Sequence, residues 1–424
     1  MKKLLLLCVL ISFTAMGQNT YIHCGKLIDT KSGKVLKNKT IVVSGDKILS
    51  VDNGFITPKN ADDKLIDFKD KTVLPGLMDM HVHLEEESNP NKYMDRITEN
   101  REDVALKSTV FAKKTLLAGF TTVRDCGGTG VNIAVRDAIN RGWIVGPHVF
   151  TAGRFIASTG GHGDRSNGRN LDLVGDWGPD KGIVNGISDA RKAVRQRYKN
   201  GADLIKITAT GGVLSEAKNS SNPQLTLEEI TEICKIARDY GMKVAAHAHG
   251  DEGIRRAILG GVTTIEHGTL MSDESMELMK QHGTYLVPTI TAGKEVAEKA
   301  KIKGFFPEVI VPKALAIGPK IQNMFARAYK KGVKIAFGTD AGVYDHGDNA
   351  REFTYMVEAG MPVMEAIQSA TITGAEILDV EDSLGRIEPG YIADIIAVNE
   401  DPTENVETLK NVVFVMKDGV IYKQ

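Results

Sequence analysis

Val73-Leu74-Pro75-Gly76-Leu77-Met78-Asp79-Met80-His81-Val82-His83 is an apolar run that ends in two histidines. The run reads as an interior strand. Side chains on a strand alternate between faces, so His81 and His83, two apart, project the same way and can grip one ion. An isolated His-x-His is weak evidence, because most histidines are surface or hydrogen-bonded core residues. Its place at the end of an apolar run makes a solvated face a poor account of this pair.

Working outward, the same texture recurs. Apolar runs over Gly76–His83, Thr121–Cys126, His148–Ala152 and Ala202–Thr208 are followed by Lys243–His249, Thr263–His267, Thr284–Thr289 and Lys334–Thr339. Segments with helical spacing separate them, such as Thr226–Tyr240, opened by Thr226 as a capping residue, and Asp273–His282. Eight strands alternating with helices predict a (β/α)8 TIM barrel, whose active site lies at the carboxyl ends of its strands. The chain ends read differently. Lys39–Val43 and Lys47–Val51 flank a Ser44-Gly45-Asp46 turn, and Ala393–Val398, Val412–Lys417 and Val420–Tyr422 form a second strand group with an Asp418-Gly419 turn. A small β-sandwich domain built from both ends is expected, with residues 18–73 and 385–424 flanking a barrel over 74–384. The glycine-rich insert Gly160–Gly186 is expected as a loop over the barrel mouth.

Of the 424 residues, 42% are hydrophobic and 25% charged, which excludes a disordered chain. A formal charge of −1 without a long basic run argues against nucleic acid as a partner. Residues 1–17 read as a signal peptide: Lys2-Lys3, an apolar run from Leu4 to Phe13, and Ala15-Met16-Gly17 before Gln18. Export to a bacterial periplasm or exterior is therefore expected, with no membrane anchor. Cys24, Cys126 and Cys234 are scattered and form no disulfide framework, so all three are expected to be buried and free.

The strand ends carry the chemistry. Lys206 sits among aliphatics in Leu204-Ile205-Lys206-Ile207-Thr208, where a buried ion pair is the bland account. His247 and His249 end the fifth strand, His267 the sixth, and Asp340 the eighth. Singly, each has an ordinary explanation as a capping or carbonyl-bonded residue. Jointly, metal-capable residues close strands one, four, five, six and eight, which a barrel brings to one mouth.

This arrangement resembles the amidohydrolase superfamily, and the likeness extends to the closing Gly385-Arg386-Ile387-Glu388-Pro389-Gly390-Tyr391-Ile392-Ala393-Asp394. Three further stretches are most similar to its imidazolonepropionase-related, prolidase-like dipeptidases: Ser158-Thr159-Gly160-Gly161-His162-Gly163-Asp164, Lys206-Ile207-Thr208-Ala209-Thr210-Gly211-Gly212-Val213 and His346-Gly347-Asp348-Asn349-Ala350-Arg351-Glu352. The resemblance implies two divalent ions, zinc foremost. His81 and His83 would bind the first, His247 and His267 the second, and Lys206, carboxylated on Nζ, would bridge them. Asp340 would bind the first ion and shuttle protons, while His249 would lie in the pocket wall. It also implies a small-molecule substrate, a dipeptide or N-acyl amino acid, cleaved at its amide bond. Arg154 and His162, leading into and lying on the insert, are expected to hold the substrate carboxylate. Rival readings are a lactonase, a cyclic-amidine or imidazolone hydrolase, and a non-catalytic binding protein on the same scaffold. A homo-oligomer is compatible with all of them.

Overall fold

Four strands begin the fold: β1 (Asn19–Asp29), β2 (Lys34–Ser44), β3 (Lys47–Asn53) and β4 (Lys64–Pro75). The computed structural model describes residues 18–217 and 219–424, so the expected leader lies outside the described residues. The last three strands of the chain, β14 (Ile395–Val398), β15 (Phe414–Lys417) and β16 (Val420–Lys423), join the first four in one sheet of order β16-β15-β14-β4-β1-β2-β3. Its two halves meet where β4 pairs antiparallel with β14, Val73 facing Ala397. The sheet then curls back on itself, because Ile48 on β3 donates to the Tyr391 carbonyl and accepts from Gly390, just ahead of β14. It encloses its own core, which includes Ile22, Ile41, Phe68, Ala397 and Phe414. The expected two-ended sandwich is thus hydrogen-bonded as a single continuous sheet.

Between these ends lie parallel strands. β5 (Leu77–Val82), β6 (Phe120–Asp125) and β7 (His148–Thr151) form one set. β10 (Ile205–Thr208), β11 (Val244–Ala248), β12 (Thr264–His267) and β13 (Tyr285–Val287) form another. The two sets are joined at both ends. Ile156, just past β7, donates to the Lys206 carbonyl at 2.8 Å and accepts from Thr208 at 2.9 Å. On the other side, Leu286 of β13 bonds Lys334 and Ala336, while Met80 and His81 of β5 bond Phe337 and Asp340. Hydrogen bonds therefore run round a ring of eight parallel segments, the eighth being the run expected over 334–339. That eighth segment has only isolated bridges rather than a regular ladder. A Cβ at Gly338 would sit 2.2 Å from Val287 Cγ1 and 3.1 Å from the His81 nitrogen, so only glycine lets it approach so closely.

Helices cover the ring as their patterns require. Leu227–Asp239 starts from a capping box in which Thr226 and Glu229 satisfy each other's backbone N–H groups, and it buries Ile230, Ile233, Ile236 and Ala237. The insert is mostly irregular, but it contains a one-turn helix (Leu171–Val174), and a parallel pair of two-residue strands closes its base, β8 (Ala157–Ser158) just before it with β9 (Ile183–Val184) near its end. Cys24, Cys126 and Cys234 are buried and unpaired. No helix among the described residues is long and apolar enough to cross a membrane.

Candidate metal centre

The carboxyl ends of β5, β10, β11 and β12 and the turn after the eighth segment bring His81, His83, Lys206, His247, His249, His267 and Asp340 into the wall of one cavity of about 160 Å³. Register does the placing: Thr208 lies beside His247, and Ala248 beside His267. His267 and Asp340 leave their strands with φ of 70° and 61°, a left-handed backbone that non-glycine residues seldom adopt. Such strain persists only where the surroundings impose it, and here it turns both side chains into the cavity.

The ring nitrogens are sorted into outer and inner sets. On the outside, His81 Nδ1 meets Glu266 Oε2 at 2.7 Å, His83 Nδ1 the Gly127 carbonyl at 2.6 Å, and His267 Nδ1 the Thr289 hydroxyl at 2.7 Å. Their Nε2 atoms remain as the candidate ligand atoms, the arrangement that orients metal-binding imidazoles. Asp340 Oδ1 lies 3.3 Å from His83 Nε2 and 3.6 Å from His81 Nε2, and Lys206 Nζ is 3.2 Å from His81 Nε2. That carboxylate oxygen is buried and accepts no well-formed hydrogen bond, a state that calls for a cation. Two overlapping groups, His81–His267–Asp340 and His247–His249–His267, each keep their donor atoms within 4.8 Å of one another. The donors present fit divalent metal binding.

Protonation follows the same logic. Burial, then neighbouring imidazoles and Lys206, hold His247 and His267 well below the ordinary imidazole range, and burial pushes His249 down to about 4. Neutral rings are what metal ligation requires. Burial works against the Asp340 carboxylate, yet the charges of His81, His83 and Lys206 outweigh it and lower its pKa.

A family model described as "Amidohydrolase family" matches residues 72–422. The chain belongs to the amidohydrolase family. The Aspergillus niger ochratoxinase is 32% identical over 98% of this chain and 89% of its own length. A crystal structure of a Xaa-Pro dipeptidase with methionine bound in its active site is 54% identical, with a TM-score of 0.93 over 96% of this chain and 100% of that one. A prolidase complexed with N-methylphosphonate-L-proline is 31% identical, with a TM-score of 0.86 over 96% and 100% of the two chains. This amidohydrolase is accordingly a hydrolase of C–N bonds with small-molecule substrates.

Around the amidohydrolase centre, the structure treats the two expected substrate contacts differently. His162 lines the cavity, with its ring stacked on His247 at 4.3 Å and its Nδ1 buried without a partner. The ring fits because Gly212 has no side chain: a Cβ there would lie 2.2 Å from His162 Cε1. Arg154 is not in the cavity wall. Its guanidinium bonds the Thr129 carbonyl at 2.9 Å and lies over the Trp177 ring, bracing the base of the insert. The His249 ring lies 5.0 Å from that of His267, against 4.7 Å for His247, and its Nδ1 bonds Thr269 Oγ1 at 2.9 Å.

Sequence reasoning missed the support behind the candidate ligands. Glu266 is fully buried and joins His81 to Arg124, whose Nη2 lies 2.8 Å from Glu266 Oε1. Asp79 accepts from the His81 nitrogen, from Thr339 and from Asn349, tying the first strand to the turn that carries Asp340. A charge within an apolar strand was the available signal at both positions. Glu266→Ala is expected to cost about 3–5 kcal/mol of stability, because it strands a buried arginine. It should also weaken metal binding about 10–100-fold, because His81 loses its orienting partner. Thermal unfolding and metal titration check both effects, and wild-type behaviour in each would contradict the role.

Proposed function

We propose that this chain is an exported, binuclear metal-dependent amidohydrolase that cleaves the amide bond of dipeptides, Xaa-Pro-like ones included, or of N-acyl amino acids. The observation that carries this reading is the buried, unbonded Asp340 Oδ1 facing His81 and His83 in a cavity that also holds Lys206, His247 and His267. His81, His83 and Asp340 would hold one ion, His247 and His267 the other, with Lys206 as N6-carboxylysine between them. When bound, two divalent ions, zinc foremost, supply an acidified water near neutral pH and positive charge for a carbonyl oxygen. The chain's own residues do the rest. Asp340 accepts the attacking water's proton and passes it to the departing nitrogen. Glu266 and Arg124 fix the His81 tautomer. His162 and His249 flank the bound amide, and the insert shields it from bulk water. The likenesses to a Xaa-Pro dipeptidase and a prolidase support an amide of an amino acid over a lactone.

The test is a screen of metal-loaded protein against dipeptides and N-acyl amino acids. Release of free amino acid that a chelator abolishes and metal restores is expected. Release of ammonia alone, or turnover only of lactones, would overturn the reading.

Export rests on the basic, apolar and small-residue order of residues 1–17. Mass spectrometry of protein from the periplasm or medium of its host should find a mature chain starting at Gln18, and an intact cytoplasmic precursor would contradict export.

A further inference from the structure

We infer that His148, Asp394 and Asp418 form a separate metal site, taking one divalent transition-metal ion, zinc foremost, that ties the C-terminal hairpin to the barrel. His148 opens β7 at its amino end, whereas the cavity of the histidine cluster lies at the carboxyl ends of the strands. Asp394 closes the Gly385–Asp394 motif just ahead of β14, and Asp418 sits in the turn between β15 and β16. None of the three lines that cavity. The spacing is that of ligands. His148 Nε2 lies 3.3 Å from Asp394 Oδ2 and 3.4 Å from Asp418 Oδ1, and the three donor atoms all fall within 4.8 Å of one another. Ligand atoms about 2.0–2.2 Å from a tetrahedral zinc stand roughly 3.3–3.6 Å apart, wider than a charge-assisted hydrogen bond of about 2.7–2.9 Å.

The donor atoms are also unspent. Asp394 is only 4% exposed, and its Oδ2 and His148 Nε2 are both buried without a hydrogen-bond partner. A carboxylate oxygen left in that state calls for a cation. The backbone holds the corner in place. Asp394 Oδ1 accepts from the Asp418 nitrogen at 2.9 Å, and the Gly419 N–H donates to the Ala393 carbonyl at 3.1 Å. Asp418 itself takes a left-handed φ of 52°. Neighbouring cations do not answer the need. Lys417 Nζ donates to the Gly146 carbonyl at 3.1 Å and lies 3.5 Å from Asp418 Oδ2, the other oxygen of that carboxylate. Among the described residues no lysine or arginine lies within 4.0 Å of the Asp394 carboxylate. Arg136, on the cleft that His148 borders, is held by Asp137 and Asp203 at 2.8 and 2.7 Å. Burial, and then the charges of Asp418 and Asp394, push the Tyr422 phenol above its ordinary range. One imidazole nitrogen with two carboxylate oxygens suits zinc, and the cleft offers an entry path and water for a fourth position.

The experiment compares the full chain, loaded with zinc and desalted, with its Asp418→Asn and His148→Gln variants. It measures zinc content, the gain in thermal midpoint on adding zinc, and anomalous scattering from wild-type crystals at the zinc edge. Asparagine tolerates the left-handed turn, so Asp418→Asn removes charge without adding strain. Neither residue belongs to the hydrolase centre, so the difference between wild type and variant counts this site whatever that centre holds. Each variant should carry about one zinc per chain less than wild type and gain less in midpoint from zinc. Wild-type crystals should show a peak about 2.0–2.2 Å from His148 Nε2 and from both carboxylates. Equal zinc content, equal gains in midpoint, or a peak that appears only in crystals soaked in excess zinc would overturn the site. So would zinc-loaded crystals in which His148 is hydrogen-bonded directly to Asp394 with no ion between them. Should a variant fail to fold, the wild-type peak decides the matter.

Discussion

Lys206→Ala is expected to abolish most turnover and to lower the metal content together. Lys206 sits on β10 with only 4% of its surface exposed. A buried ammonium normally has a carboxylate partner. Among the described residues no carboxylate lies within 4.0 Å of its Nζ; its neighbour is His81 Nε2 at 3.2 Å. The ion-pair explanation for a lysine among aliphatics therefore fails at this position. Carbon dioxide adding to the neutral amine, with loss of one proton, would make a carbamate anion in place of a cation, and the proposed carboxylation would account for the burial. Removing that ligand should cost several kcal/mol of transition-state stabilisation, on the order of 10³-fold in kcat/KM. Acetate or formate, small enough to enter the space left by the side chain, should restore part of the rate. Wild-type metal content and turnover in Lys206→Ala would remove the residue from the centre.

Asp340→Asn is expected to lower kcat by about 10²–10⁴-fold, the range for loss of a positioned general acid–base. The substitution keeps the shape of the side chain but removes its charge and its capacity to carry a proton. Because Asp340 is also a proposed ligand, metal content is measured beside rate. A fall in kcat in protein that retains its metal identifies the proton-transfer role, and an unchanged rate contradicts it. Backbone strain makes the position sensitive. With φ at 61°, the turn is held by the Asp79–Thr339–Asn349 network, so Asn349→Ala should give a smaller loss by misplacing Asp340.

The ring of parallel segments was legible because apolar runs alternate with helical patterns and five of the eight runs carry a residue too polar for the core near their ends. His81, Lys206, His247, His267 and Asp340 marked both the strands and the mouth they share. The eighth segment was legible as a run but not as an irregular one, since the close approach at Gly338 depends on Val287, far away in sequence. The two β-rich ends were visible from their turns. Their union in one curled sheet was not, because it depends on β4 pairing with β14 across more than 300 residues. At the site, the candidate ligands were readable from strand endings and the rest of the cavity wall was not. Arg154 looked suitable because the third strand leads directly to it, yet its guanidinium turns to Thr129 and Trp177. Arg165, on the insert, and Arg96, on the helix Lys92–Thr98, meet only through Glu86, a partnership that no local spacing reveals.

The central claim is a pair of ions bridged by a carboxylated Lys206. Its most direct test is the crystal structure of zinc-loaded protein grown with bicarbonate, with anomalous data collected at the zinc edge. The account predicts two anomalous peaks roughly 3.5–4 Å apart, one beside His81, His83 and Asp340 and the other beside His247 and His267, with carboxylate density continuous with Lys206 Nζ between them. A single peak with an unmodified lysine would contradict it.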